Sequence, residues 1–160
     1  MINISVREVK ETDLPMIQTL TRELIKTMSN TKGINVQLAL DNCKHLIHDP
    51  YSYFFVAVMN KTIVGFITVS IRKTLLHQGL SGLINELVVT EKYRGKGIGK
   101  QLIFAVMERC KQLGCCEVEV STSMTNKRAK ELYMSCGFEE RGLLLEVDLS
   151  LKKKERLRNL

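Results

Sequence analysis

The residues Tyr93–Ile103, YRGKGIGKQLI, carry the clearest chemical signal in the chain. Their first eight positions hold three glycines and three basic residues, and the stretch then turns apolar. It follows the apolar run ELVV and opens a helical pattern. Backbone N–H groups at a helix start are unpaired and partly positive, so they suit a phosphate. Gly97 and Gly99 would let an anion approach the main chain closely. Arg94, Lys96 and Lys100 would add charge around the rim. A Walker A loop is excluded, because neither Gly-Lys pair is followed by Ser or Thr. A dinucleotide fingerprint fits poorly. Lys100 stands where its third glycine should be, and five residues, Thr90 to Arg94, separate the strand from the glycines. On its own, such a loop can also be a turn that binds nothing.

Other residues could do chemistry elsewhere. Glu86 stands among apolar neighbours in INELVV, where partial burial would suit a general base. Glu117 and Glu119 alternate with Val118 and Val120 and share one face of a strand, which could simply be solvated. Asn126 and Tyr133 lie seven apart on one helix and share a face with Ala129. Tyr133 could be a proton donor or an ordinary buried tyrosine. His45 and His48, with Cys43 nearby, have no further ligand to complete a metal site, so no metal is expected. Cys43, Cys110, Cys115, Cys116 and Cys136 are odd in number and form no C-x-x-C pair, which points to a reduced, cytoplasmic protein.

The elements that must position these residues follow from periodicity. ISVREV alternates as a first strand. Leu14, Ile17, Leu20, Leu24 and Met28 recur at helical spacing, with Asp13 as the expected N-cap and Pro15 in the first turn. SNTKG would end that helix, and VQLALDNCKHLIHD would form a second, stopped before Pro50. YFFVAVM and TIVGFITVSI flank an Asn60–Lys61 hairpin turn. RKTLLHQGLSG reads as a loop or partial strand, and GLINELVV as the next strand. From Ile98, the positions Leu102, Val106, Cys110 and Leu113 make one buried stripe, closed by Gly114. EVEVST is a strand, NKRAKELYMSCG a helix, and FEERGLLLEVDLS one or two final strands. The fold class expected is α/β (α+β): a mixed, mostly antiparallel sheet of six to seven strands with helices on both faces.

Two of these stretches together resemble a known family. ELVVTEKYRGKGIGKQLI is similar to the acyl-CoA-binding signature Q/R-x-x-G-x-G/A of the GNAT superfamily of N-acyltransferases, matched by Arg94, Gly97 and Gly99. TNKRAKELYMSCGF resembles its second signature, matched by Asn126, Ala129, Leu132, Tyr133, Gly137 and Phe138. The two fall in the family's order and separation. The resemblance implies a GNAT-like fold and acetyl-CoA held where the fourth and fifth strands splay apart. It implies the pyrophosphate on the amides of Gly95, Lys96, Gly97, Ile98, Gly99 and Lys100, beside Arg94. The pantetheine arm would run along Leu87, Val88 and Val89, with Asn126 and Tyr133 also facing the cofactor. It makes Tyr133 the acid that protonates departing CoA.

Transfer of acetyl to an amine needs a base or a water chain, because amines are mostly protonated at neutral pH. Glu86 ranks first, then Glu119, with ordered water as the remaining option. A backbone N–H near Val88 is the expected oxyanion donor. The leading reading is an acetyl-CoA-dependent N-acetyltransferase that transfers directly to a primary amine, in a small molecule or a peptide. A cysteine relay has no matched base beside any thiol in sequence. The alternative is a non-catalytic acyl-CoA-binding sensor, which could dispense with Tyr133 and Glu86.

The 160 residues fit one domain, 1–151, with a basic tail at 152–160. The tail carries five bases and one acid, so +4 of the +7 formal charge sits there and +3 on the rest. It holds no aromatic residue to stack on a base, so nucleic acid is not expected as a partner. The N-terminus lacks a signal peptide's apolar run, and the longest apolar run, FFVAVM, cannot cross a bilayer. A homodimer is compatible with the sequence and written nowhere in it.

Overall fold

The computed structural model describes residues 3–28, 34–147 and 149. The SNTKG turn and the basic tail both fall wholly outside that range. The described residues form five strands and four α-helices. They are β1 (Ile4–Glu8), α1 (Leu14–Thr27), α2 (Val36–His48), β2 (Ser52–Met59), β3 (Thr62–Lys73), β4 (Leu80–Val89), α3 (Ile98–Gln112), β5 (Cys115–Val120) and α4 (Lys127–Ser135). The sheet order is β1-β2-β3-β4-β5. The first three junctions are antiparallel, and β4–β5 is parallel.

Local chemistry accounts for most of the boundaries. Asn60 and Lys61 both take positive φ, 49° and 64°, which a two-residue turn between right-twisted strands requires. Asn35 caps α2, its side chain accepting from the Leu38 N–H at 3.0 Å. Asp13 stands at the start of α1 as expected, but its carboxylate does not cap that helix. It turns back to accept the Lys10 N–H at 2.7 Å and a two-pronged contact from Arg7 at 2.7 and 2.9 Å. The Arg7 hydrogen bond holds the Asp13 carboxyl below the usual range and outweighs the opposing effect of burial. A depressed carboxyl contributes stability at neutral pH that is lost as pH falls through its folded value.

Each face of the sheet carries its own helices. On one face α3 and α4 cover Phe55, Ala57, Val64, Ile67, Val69 and Ile84, with Ile98, Leu102, Ile103 and Val106 from α3 fully buried. On the other, Ile17 and Leu20 of α1 and Cys43 of α2 pack on Phe54, Val56, Phe66 and Val88. All five cysteines are free thiols. Burial pushes the Cys110 thiol up to about 12, so it is an inert core group.

The strand count corrects the sequence reading. There are five strands where six to seven were expected, because Phe138–Val147 and Leu149 form none among the described residues. The apolar composition there is that of a strand, but a strand also needs a neighbour to take its backbone hydrogen bonds. Leu143, Leu145, Val147 and Leu149 stay 71 to 82% exposed. β3 and β4 are each two residues longer than read, which confines the connecting loop to 74–79.

Candidate functional site

The site is built where β4 and β5 part. Their parallel pairing runs from Leu80↔Cys115 to Ile84↔Val120 and stops. Beyond Ile84, β4 continues to Val89 with β3 on one side and, among the described residues, no strand on the other. β5 ends with this pairing at Val120, so the remainder of β4 presents an open edge where the splay was expected. Antiparallel alternation decides which groups face it. The Thr90 N–H donates to Val64 O at 2.9 Å, and Val89 lies opposite Gly65. Val88 is then committed to the β3 ladder, and Leu87 and Val89 present their backbone to the open side. The outward N–H groups near Val88 are therefore those of its two neighbours, Leu87 and Val89.

A bulge sets the side chains of β4. Thr68 pairs with Glu86 but Val69 pairs with Ile84, so Asn85 is an extra residue. Without it, residues 84 and 86 would share a face. With it, Ile84 packs under α3 while Glu86 and Val88 turn to the α1–α2 side. Glu86 is half-buried there. It lies close enough to Cys43 that its charge adds to the burial that raises that thiol. The buried Thr68 hydroxyl donates to the Glu86 carboxylate and accepts the Glu86 N–H at 3.1 Å, fixing both ends of the residue. Glu119 is less free: its carboxylate is paired with Arg72, and Glu117 with His77 at 2.8 Å.

The glycine loop has the geometry of an anion cradle. Gly95 and Gly97 adopt φ of +77° and +76°, which an L side chain resists, and a Cβ on either would project into open space. Gly97 is the N-cap of α3 and supplies no side-chain cap. The first α-helical bond is Gln101 N–H to Gly97 O at 3.1 Å, so the N–H groups of Ile98, Gly99 and Lys100 precede it without a helical acceptor. Gly99 has another reason to be glycine. A Cβ there would come within 3.1 Å of Leu132 Cδ2, so it admits α4 against α3. The cations are more committed than their sequence suggests. Arg94 Nε donates to Val89 O at 2.8 Å, and Lys100 Nζ to Ser135 O at 3.2 Å. Lys96 Nζ lies 5.1 Å from the centre of the Tyr93 ring.

α4 brings the last two expected residues. Asn126 caps it, accepting the Ala129 N–H at 3.1 Å, so its carbonyl is structural and its NH₂ stays available to donate. Tyr133 is 9% exposed and packs edge-on against Phe138, ring centres 5.7 Å apart. Among the described residues its hydroxyl has no hydrogen-bond partner. Burial raises its pKa above the ordinary value of 10, with a smaller push from Cys136. Tyr133 belongs to the α3–α4 side and Glu86 to the α1–α2 side, so the two approach the open edge of β4 from opposite faces of the sheet. His45, His48 and Cys43 do not form a metal centre. No group of three or more metal-binding side chains comes together among the described residues, and His48 instead contacts Glu11 at 2.9 Å. Thr68 was not visible as a site residue in sequence; its one signal is a hydroxyl inside the apolar run GFITV.

An open strand edge beside an uncapped helix N-terminus and a buried tyrosine is the arrangement that the resemblance to the GNAT superfamily implies. Comparison with known proteins agrees. Residues 17–138 match the model of the acetyltransferase (GNAT) family. The aminoalkylphosphonate N-acetyltransferase of Salmonella typhimurium is 28% identical over 135 residues, covering 84% of each chain. N-alpha-acetyltransferase 30 of Xenopus laevis is 31% identical over 110 residues, 68% of this chain and 39% of that one. The solved structure of an aminoglycoside N-acetyltransferase in complex with CoA superposes with a TM-score of 0.81 at 22% identity, covering 94% of this chain and 97% of that one. The chain belongs to the GNAT acetyltransferase family and is an N-acetyltransferase, with acetyl-CoA as its acyl donor.

Proposed function

We propose that the protein transfers the acetyl group of acetyl-CoA directly to a primary amine of a small molecule. The observation that carries this reading is the junction of three features: the open edge of β4, the uncapped start of α3, and Tyr133 with its hydroxyl free. The pyrophosphate takes the N–H groups from Gly97 to Lys100, and the pantetheine amides pair with Leu87 and Val89 as an added strand would. Glu86, held by Thr68, accepts the proton of the attacking amine from the α1–α2 side. The outward N–H of Leu87 stabilises the tetrahedral oxyanion, which leaves the N–H of Val89 to the pantetheine. Tyr133 donates its proton to the departing thiolate.

A small amine is favoured because the Salmonella relative, named for aminoalkylphosphonates, covers 84% of both chains. The chain spans only 39% of the N-alpha-acetyltransferase it resembles, so a peptide N-terminus is the second option. The discriminating experiment is a CoA-release assay over aminoalkylphosphonates, amino sugars and short peptides. Turnover confined to peptides would overturn the small-molecule preference.

Tyr133→Phe keeps the ring that packs on Phe138 and removes only the acid. Loss of one general acid costs roughly 10²-fold in kcat, and acetyl-CoA affinity should stay unchanged. The active form is the protonated phenol and burial raises its pKa, so wild-type kcat should hold on the alkaline side past pH 10 before falling. A Tyr133→Phe enzyme with wild-type kcat would remove Tyr133 from the reaction.

We infer in addition that two copies pair through the segment after α4. The outer edge of β5 carries no strand among the described residues. Leu143, Leu144, Leu145, Val147 and Leu149 are exposed and strand-like in composition. Light scattering after size exclusion should give a dimer, and Leu143→Lys with Leu145→Lys a monomer. A monomeric wild type would dismiss the pairing.

A further inference from the structure

The cofactor site has a brace that the mechanism does not use. β4 ends at Val89, and a short 3-10 turn, Glu91–Tyr93, carries the chain to the glycine loop. A turn of this kind exposes unpaired N–H groups at its start, and the residue at its N-cap usually satisfies one of them. Thr90 holds that position but makes no cap. The cap comes from α1. Glu23 accepts the Glu91 N–H at 2.8 Å with one carboxylate oxygen and the Thr90 hydroxyl at 2.8 Å with the other. The first oxygen also lies 3.6 Å from Arg94 Nη2. Arg94 in turn donates through Nε to Val89 O at 2.8 Å. One carboxylate from 67 residues upstream thus ties together the last strand residue's neighbour, the turn, and the arginine that opens the glycine loop. Both side chains of the Glu23–Arg94 pair are partly shielded from solvent, at 27% and 30% exposure.

The position of this brace matters more than its strength. It sits at the hinge between the two surfaces that must grip one acetyl-CoA, the edge of β4 and the start of α3. An error of angle there would move one grip relative to the other. Charge-assisted bonds to a fixed carboxylate are directional enough to set that angle. α1 also lines the Glu86 side of the sheet, so the same side chain joins the helix flanking the amine to the loop facing the phosphates.

We propose that Glu23 is a positioning residue for acetyl-CoA, acting through Thr90, Glu91 and Arg94. Arg94 accordingly serves the shape of the loop through Val89 and Glu23. This rests on the assignment of the α3 N-terminus to the pyrophosphate.

The test uses acetyl-CoA itself, with calorimetry and steady-state kinetics on the full chain. Glu23→Gln keeps the size of the side chain and replaces the acceptor pair with one acceptor and one donor. It should raise the Kd and KM for acetyl-CoA about 10-fold, with kcat within roughly 2-fold, the signature of binding lost equally from ground and transition state. Thr90→Val removes one arm of the brace and should raise Kd less. The double variant should match Glu23→Gln alone, because both changes break the same contact. Thr90→Val also keeps the question open to measurement if Glu23→Gln fails to fold. Gly97→Glu separates the two levels of inference. If Gly97→Glu abolishes binding while Glu23→Gln and Thr90→Val bind as wild type, the brace is structural only and the proposal is overturned. If Gly97→Glu also binds as wild type, the pyrophosphate assignment has failed beneath it.

Discussion

Glu86→Gln lowers kcat/KM for the amine by about 10²- to 10³-fold, the range for loss of one general base. The substitution is close to isosteric and keeps an oxygen to accept from Thr68, so the backbone bulge at Asn85 should persist. What disappears is the capacity to take a proton from the attacking amine. Acetyl-CoA affinity should not change, because Glu86 projects to the α1–α2 side, away from the loop that receives the phosphates. The measurement is kcat/KM across pH with acetyl-CoA saturating. If the variant keeps wild-type kcat/KM, the proton leaves by another route. Glu119, already paired with Arg72, or ordered water would then replace Glu86.

Gly97→Glu weakens acetyl-CoA binding by at least roughly 100-fold, about 2.7 kcal/mol. Two causes act together. A side chain at φ +76° carries a strain of about 1–2 kcal/mol. A carboxylate placed at the positive end of α3 would compete with the phosphate for the same N–H groups. Gly97→Ala separates these causes, since it brings the strain without the charge, and the space around that Cβ is open. The affinity series wild type, Gly97→Ala, Gly97→Glu should therefore descend in that order. Equal affinities for all three would place the phosphates elsewhere.

Much of this arrangement is legible in the sequence because local rules decide it. The Asn60–Lys61 hairpin, the α3 stripe and its stop at Gly114 each depend on a few neighbouring residues. The joint order of YRGKGIGK and NKRAKELYMSCGF is enough to identify the family, and with it the fold. What escaped depends on partners distant in sequence. The Asn85 bulge exists only in the register between β3 and β4, yet it decides that Glu86 faces α2 while Ile84 faces α3. Glu23 shows no sign in α1 of its bond to a turn 68 residues away. Lys100 and Arg94 read as free cations, and the fold spends them on Ser135 O and Val89 O. Gly99 reads as an anion contact, and its second duty, admitting Leu132 of α4, shows only in the packing. The final strands were read from composition alone, and composition does not supply the neighbour that a strand needs.

The most direct test of acetyl transfer to an amine is mass spectrometry of products from an amine panel, incubated with the protein and acetyl-CoA while CoA release is followed. The predicted result is one class of primary amine gaining a single acetyl group, with one CoA released per product and a loss of rate in Glu86→Gln and Tyr133→Phe. Tight binding of acetyl-CoA with no acetylated amine in any class would contradict it and leave an acyl-CoA sensor in its place.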